Sequence, residues 1–222
     1  MTRSPDEWKT WCTGITSGSV PTGGKEVTYS SGVKYVKLKL RSRNIIKAGM
    51  RILEIGSGNG RVAMGLVEDD VHYTGLEPIL ASVEFCREAF AEFPRFTFKH
   101  VDVRNSFYNP TGNNSSESYR LPIPDNAFDL VIAASVFTHL ETDEAAKNYL
   151  SCIHRALNRD GIMFSTWFRS PPNSISTTAE RTVYGEAWIF SEVSRYFDIA
   201  ESEHGTTTAY HDQWEIVGRK RG

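Results

Sequence analysis

The stretch Arg51–Val62, RILEIGSGNGRV, decides the fold. Ile52, Leu53 and Ile55 make a short apolar run suited to a strand buried on both faces, with Glu54 near its end and glycines following at 56, 58 and 60. Glycines in that place permit a tight turn with no Cβ between the backbone and a ligand. Arg61 to Glu68 then reads as a helix whose N-terminal amides face the same point. A dinucleotide fingerprint, G-x-G-x-x-G, needs its third glycine where this chain has Arg61. Here the spacing is G-x-G-x-G behind an acid, an arrangement that tolerates a cationic ligand better than a pyrophosphate.

Working outward, Val71 to Leu76 (VHYTGL) reads as a second strand ending at Glu77-Pro78, and Ile79 to Ala91 as a helix. Arg95 to Val101 alternates as a third strand that stops at Asp102. The Asn-, Ser-, Pro- and Gly-rich segment from Asn105 to Ser118 is too polar for a core element and is expected as a surface loop. Ala127 to Ala133 (AFDLVIA) reads as a central parallel strand. Thr142 to Leu157 follows as a helix with Ala145, Tyr149, Ile153 and Ala156 on one face. Asn158 to Gly161 is expected to close that helix before a fifth strand, Ile162 to Trp167. Beyond an irregular stretch from Arg169 to Glu186, IFSEVSRYF reads as a short helix. Ile199 to His204 and Gln213 to Gly218 read as two strands whose connection is too short for a crossover helix, so they pair antiparallel. The expected class is α/β: a seven-stranded, mostly parallel sheet closed by an antiparallel C-terminal hairpin, with helices on both faces and right-handed crossovers.

Size and composition fit one domain. The 222 residues can bury a substantial core, and a net charge of -2 with a pI near 6.3 gives no bulk attraction to nucleic acid or anionic membranes. No apolar stretch is long enough to span a bilayer and the start MTRSPDEWKT lacks a secretory pattern, so a cytoplasmic protein is expected. Cys12, Cys86 and Cys152 are widely separated with no C-x-x-C, which favours reduced structural thiols. The expected organisation is an N-terminal lid or helical segment over 1–48, a ligand-binding core over 49–168, and a substrate-side insertion with the closing hairpin over 169–222.

In an open parallel sheet the ligand crevice lies beyond the carboxyl ends of the strands. Glu54 to Gly60, Glu77, Asp102 and the Ala134 to His139 segment each follow such an end. The segments EIGSGNGR, GLEP, VDV, LPIPDNAFDLVIAASVFTHL and IHRALNRDGIMFSTWF resemble the small-molecule class I S-adenosylmethionine-dependent methyltransferases of types 11 and 12, over roughly Gly32 to Phe168. That resemblance implies a Rossmann-like methyltransferase fold. The YNPTG run at Tyr108 to Gly112 and SVFTHL at Ser135 to Leu140 resemble a bacterial subset whose members often sit among sugar and surface-glycan biosynthesis enzymes.

What the resemblance implies is a site for S-adenosylmethionine, with S-adenosylhomocysteine as product and a small-molecule acceptor. Glu77 would accept both ribose hydroxyls through its two oxygens, with Pro78 beside it. Asp102 would take the adenine amino group, with the Val103 amide donating to a ring nitrogen. The backbone at Glu54, Gly56, Ser57, Gly58 and Gly60 would approach the methionine part, and Ala134 and Ser135 would offer carbonyls or a hydroxyl to its ammonium. An acid at a strand end is also often a solvated residue or a helix cap. His139 is the candidate base, because it follows strand four and titrates near neutrality in its ordinary state. The competing role for it is packing beneath the cofactor.

His204 and His211 lack a partner at metal-ligand spacing, so no metal is expected. Tyr210, His211 and Asp212 either face the acceptor or form a solvated turn. The basic run Lys34 to Arg51 is either a solvated helix face or a contact for a phosphorylated acceptor. Trp8, Trp11, Tyr29 and Tyr35 either form a lid or pack on the sheet edge. Two rivals remain: a nicotinamide-dependent oxidoreductase on the same strand-turn-helix, and a protein that binds the cofactor without transferring a methyl group. The oligomeric state is not set by the sequence.

Overall fold

A computed structural model describes residues 29–170, 176–177, 181–204 and 213–222. Trp8, Trp11, Cys12, Tyr210, His211 and Asp212 lie outside the described residues, as do the side chains of Tyr29 and His204. The chain divides into two compact units at Val101 and Asp102.

In the first unit β1 (Arg51–Ile55), β2 (His72–Glu77) and β3 (Phe96–His100) are parallel, with β2 in the middle. Helices α1 (Tyr29–Lys39), α2 (Arg61–Leu66) and α3 (Leu80–Ala89) accompany them. Both inter-strand crossings are helical because the connections turn from apolar alternation to helical spacing, as parallel pairing requires. Tyr73, Phe90, Phe96 and Phe98 stack into one cluster, with ring centroids 5.0–5.6 Å apart. It seals α3 to the sheet. Gly65 on α2 faces Gly32 on α1 so closely that a Cβ at 65 would sit 2.4 Å from the Gly32 carbonyl oxygen. Val36, Leu40 and Ile45 are buried in this unit while the lysines at 34 and 37 are exposed, so the basic run has one solvated face and one packed one.

In the second unit β4 (Phe128–Ala133) runs parallel to β5 (Leu157–Ser170). The strand β9 (Trp214–Lys220) lies antiparallel to β5, and β8 (Phe197–His204) antiparallel to β9. The expected closing hairpin is therefore present. Helix α4 (Asp143–Ala156) starts on Thr142, whose hydroxyl accepts from the Ala145 amide at 3.1 Å, and buries Ala145, Tyr149, Ile153 and Ala156 as its spacing predicts.

Two expectations need correction. Asn158 to Gly161 do not separate helix from strand: the chain becomes extended at Leu157, which pairs with Phe128, and the next pair is Ile162 with Leu130. The four residues are a bulge inside one long strand, and glycine fits at 161 because a Cβ there would sit 2.8 Å from the Leu157 side chain. The stretch before Glu186 also carries structure. Two short strands, β6 (Ser176–Thr177) and β7 (Thr182–Gly185), precede helix α5 (Glu186–Ser194), and β7 pairs parallel with the end of β5. The Pro- and Ser-rich composition hid them, since Thr182 and Tyr184 are buried and Tyr184 packs edge-on against Trp167.

Candidate cofactor site

In the first unit the glycine turn is held under β2. The amides of Gly56 and Ser57 both donate to the Leu76 carbonyl, at 2.8 and 3.0 Å. Gly56, Gly58 and Gly60 all have positive φ, at 71°, 53° and 78°. Gly60 caps α2 in the left-handed region, and a Cβ there would meet the Phe90 ring at 2.9 Å. At Gly58 a Cβ would meet nothing within 4 Å, so the turn presents bare backbone to open space.

Glu77 closes this turn. Its two carboxyl oxygens accept from the Gly58 amide at 2.8 Å and the Ile79 amide at 3.0 Å, joining the glycine turn to the approach of α3. Only 5% of the residue is exposed, and burial pushes the carboxyl up to about 7, against the pull of those two amides. Two amides use about half of a carboxylate's four acceptor directions. Pro78 contributes a carbonyl that accepts from the His100 ring at 3.0 Å.

Glu54 faces inward from β1, where it accepts a hydrogen bond from the Tyr73 hydroxyl on β2. Burial pushes its carboxyl up to about 8, opposed by the Tyr73 hydrogen bond and by the Arg61 guanidinium, which stacks 4.5 Å over the Tyr35 ring. The acid is therefore largely protonated at neutral pH. Ser57 packs over Gly75, where a Cβ would lie 2.8 Å from the Ser57 side chain, and its buried hydroxyl has no partner among the described residues. Bare turn backbone, an acid with spare acceptor directions and an orphaned hydroxyl fit a ligand that carries hydroxyl groups.

In the second unit Asp102 and Val103 open a loop whose residues 105–118 are all exposed or half-buried, as its composition predicts. The Asp102 oxygens accept from Asn109 Nδ2 at 3.1 Å and from Asn113 Nδ2 at 2.6 Å, and the Asp102 carbonyl from Asn114 Nδ2 at 2.8 Å. Ala134 is buried after β4. Ser135 sits at φ 60°, its amide donating to the Thr166 hydroxyl at 2.7 Å and its own hydroxyl to Gln213 Oε1 at 3.2 Å. A non-glycine residue in the left-handed region is a local cost that its surroundings must hold in place. His139 ends the short helix Phe137–His139, anchored by Phe137 stacking on Trp167 with centroids 3.9 Å apart. Its Nε2 lies 3.2 Å from the Tyr108 hydroxyl.

The sequence reading missed the side chains that hold these groups: Tyr73 on Glu54, Thr166 on Ser135, and Asn105, Asn109 and Asn113 in the loop. The asparagine density of the loop was the available signal. Cys86 and Cys152 are buried and in no disulfide. Among the described residues no helix is long and apolar enough to cross a membrane, and no group of three or more His, Cys, Asp or Glu residues is placed to hold a metal ion.

Comparison with known proteins bears on the same residues. The fold matches an N1-methyltransferase acting on 1,6-didemethyltoxoflavin from Burkholderia thailandensis, solved with that compound and S-adenosylhomocysteine. The TM-score is 0.63 at 17% identity, over 86% of this chain and 79% of that one. It also matches the N-methyltransferase NodS of Bradyrhizobium japonicum in complex with S-adenosylhomocysteine, at TM-score 0.62 and 13% identity, over 99% of this chain and 94% of that one. These likenesses show the Rossmann-like class I methyltransferase fold. An uncharacterised methyltransferase of Schizosaccharomyces pombe is 29% identical over 103 residues, 46% of this chain and 34% of that protein, so the matched stretch spans about a third of the relative's length. None of these matches supports the nicotinamide-dependent alternative. The family model for the methyltransferase domain matches residues 53–163, half of the chain and the stretch that carries the glycine turn, Glu77 and His139, and the chain belongs to that family.

Proposed function

We propose that the protein is an S-adenosylmethionine-dependent methyltransferase acting on a small molecule, with a hydroxyl of a sugar or glycan precursor as acceptor. The observation that carries this reading is the Glu77 carboxyl fixed to the Gly58 amide at the mouth of a bare glycine turn, in a chain of the methyltransferase family. Glu77 then takes the ribose hydroxyls with its remaining acceptor directions, and the backbone from Gly56 to Gly60 takes the methionine part. Asp102 and Val103 are assigned to adenine, although the Asp102 carboxylate already holds two asparagines, so an adenine amino group shares it with them. Ala134 and Ser135 are assigned to the ammonium. No metal enters this reading.

The cofactor supplies a methyl carbon already activated by its sulfonium. When bound it would supply that methyl group to the acceptor oxygen, and His139 would take the acceptor proton. The protein's own part is orientation and exclusion of water, worth ~7 to 11 kcal/mol in well-aligned cases. A small-molecule acceptor accords with the 1,6-didemethyltoxoflavin bound by the Burkholderia thailandensis neighbour. The sugar hydroxyl rests on the YNPTG and SVFTHL runs alone.

Turnover of labelled S-adenosylmethionine with a panel of sugar nucleotides, phenols and amines tests this. Methylated sugar nucleotide is the expected product. Tight cofactor binding with no transfer to any class would favour the non-catalytic reading, and methylation of amines alone would overturn the hydroxyl assignment.

A further inference from the structure

We propose that Tyr108 is a positioning residue for His139, and that the Tyr108–Gly112 run serves to hold its hydroxyl on the imidazole; this rests on the reading of His139 as the base. The loop is tied at both ends. Asn105 Oδ1 accepts from the Phe107 and Tyr108 amides at 3.1 and 2.9 Å, which fixes where the Tyr108 side chain leaves the backbone. Asn105 Nδ2 donates to the His139 carbonyl at 2.9 Å, fastening the loop to the residue that carries the imidazole. The Ser106 amide donates to Glu141 at 2.8 Å, a second tie to the same segment.

The rest of the motif closes the loop behind Tyr108. Asn109 Nδ2 donates to Asp102 and to the Val103 carbonyl, both at 3.1 Å. Gly112 is required because a Cβ there would sit 2.7 Å from both the Arg104 amide nitrogen and Asn109 Nδ2. Tyr108 is thus delivered edge-on to His139, with ring centroids 5.0 Å apart and planes at 88°, and Phe107 packs edge-on against Tyr108. Packing alone needs only the ring. The hydroxyl adds a specific act, because a phenol oxygen that accepts from Nε2–H selects the imidazole tautomer whose lone pair is on Nδ1. A base with a fixed tautomer and orientation presents one lone pair in one direction.

The test reads the His139 ring nitrogens by 15N NMR in the full chain, free of cofactor, for wild type and Tyr108→Phe. Wild type is expected to show one neutral tautomer with Nε2 protonated and Nδ1 unprotonated. Tyr108→Phe should give a mixture while the melting temperature stays put. Identical ring signals in the two proteins overturn the pairing. Should Tyr108→Phe not fold, Asn105→Ala keeps the phenol but cuts the tie to the His139 carbonyl. It is expected to average the His139 signals, and unaltered signals would again overturn the proposal. With an acceptor from the panel above, Tyr108→Phe should lower kcat about tenfold with KM for S-adenosylmethionine within twofold. Failure of wild type to bind the cofactor would sink the transfer reading but leave the ring spectra to decide the pairing.

Discussion

The glycine turn with Glu54 and Glu77, and the loop from Asp102 to Gly112, both carry groups assigned to the same chemistry, yet they are built in opposite ways. The first is backbone geometry around buried carboxyls: three left-handed glycines, two amides on one carbonyl, and an acid drawn up to about 7 by burial. The second is side-chain joinery, in which asparagines at 105, 109 and 113 replace secondary structure. A turn set by φ and a dry carboxyl has few ways to relax, whereas a web of several hydrogen bonds in a half-exposed loop can lose one member and keep its shape. Damage should therefore be steeper in the turn than in the loop.

Gly60→Ala should be the most damaging change. It combines a left-handed conformation, about 1–2 kcal/mol for an L residue, with a Cβ pressed into Phe90 at 2.9 Å. Overpacking adds about 1–3 kcal/mol. Urea denaturation should show a loss of roughly 2–5 kcal/mol in all, and a loss below about 0.5 kcal/mol would mean that the turn is not constrained as described.

Glu77→Ala should leave the fold in place but weaken S-adenosylhomocysteine binding by about 1.5–3 kcal/mol, roughly ten- to 150-fold. Unchanged affinity by calorimetry removes Glu77 from the ribose assignment.

Glu54→Gln separates burial from charge. The folded chain holds a proton on Glu54 up to about pH 8, while an unfolded carboxyl loses it near its ordinary 4.5. Between those values the native state binds more protons than the unfolded one, so wild-type stability falls as pH rises through the window and levels off above it. The glutamine variant should lack most of this slope and be about 1–2 kcal/mol more stable than wild type near pH 8.5. Parallel stability curves for the two proteins would contradict the buried, protonated acid.

The smallest effect is expected from Asn109→Ala, which removes two neutral-donor bonds in a partly exposed loop for about 1 kcal/mol. Faster amide hydrogen exchange should be confined to the loop. Exchange spreading into β4 or α4 would show that the loop is more than a local web.

The same contrast explains what could be read in advance. The glycine spacing, the apolar runs and the acids at strand ends are written in residue types, so β1 to β5 and the closing hairpin followed from them, whereas the bond from the Gly58 amide to Glu77 did not. The asparagine web could not be read, because composition marks the segment as polar without saying that Asn105 would reach a carbonyl 34 residues away. The bulge at Asn158 to Gly161 was hidden likewise: NRDG is turn chemistry, and only pairing with β4 shows that the strand has already begun. Glu54 was read as an acid beside a cation, but its burial against Tyr73 makes it a largely neutral hydrogen-bonding group at pH 7.

The central claim is that the Glu77 carboxylate, clasped to the glycine turn, receives the sugar of an adenosine-type cofactor. Calorimetric titration of S-adenosylhomocysteine into wild type and Glu77→Gln at pH 6 and pH 8 tests it most directly. With the free carboxyl titrating at about 7, wild-type affinity should rise by up to roughly tenfold between the two pH values. The variant should bind weakly and equally at both. Equal affinity of the two proteins at pH 8 would contradict the account.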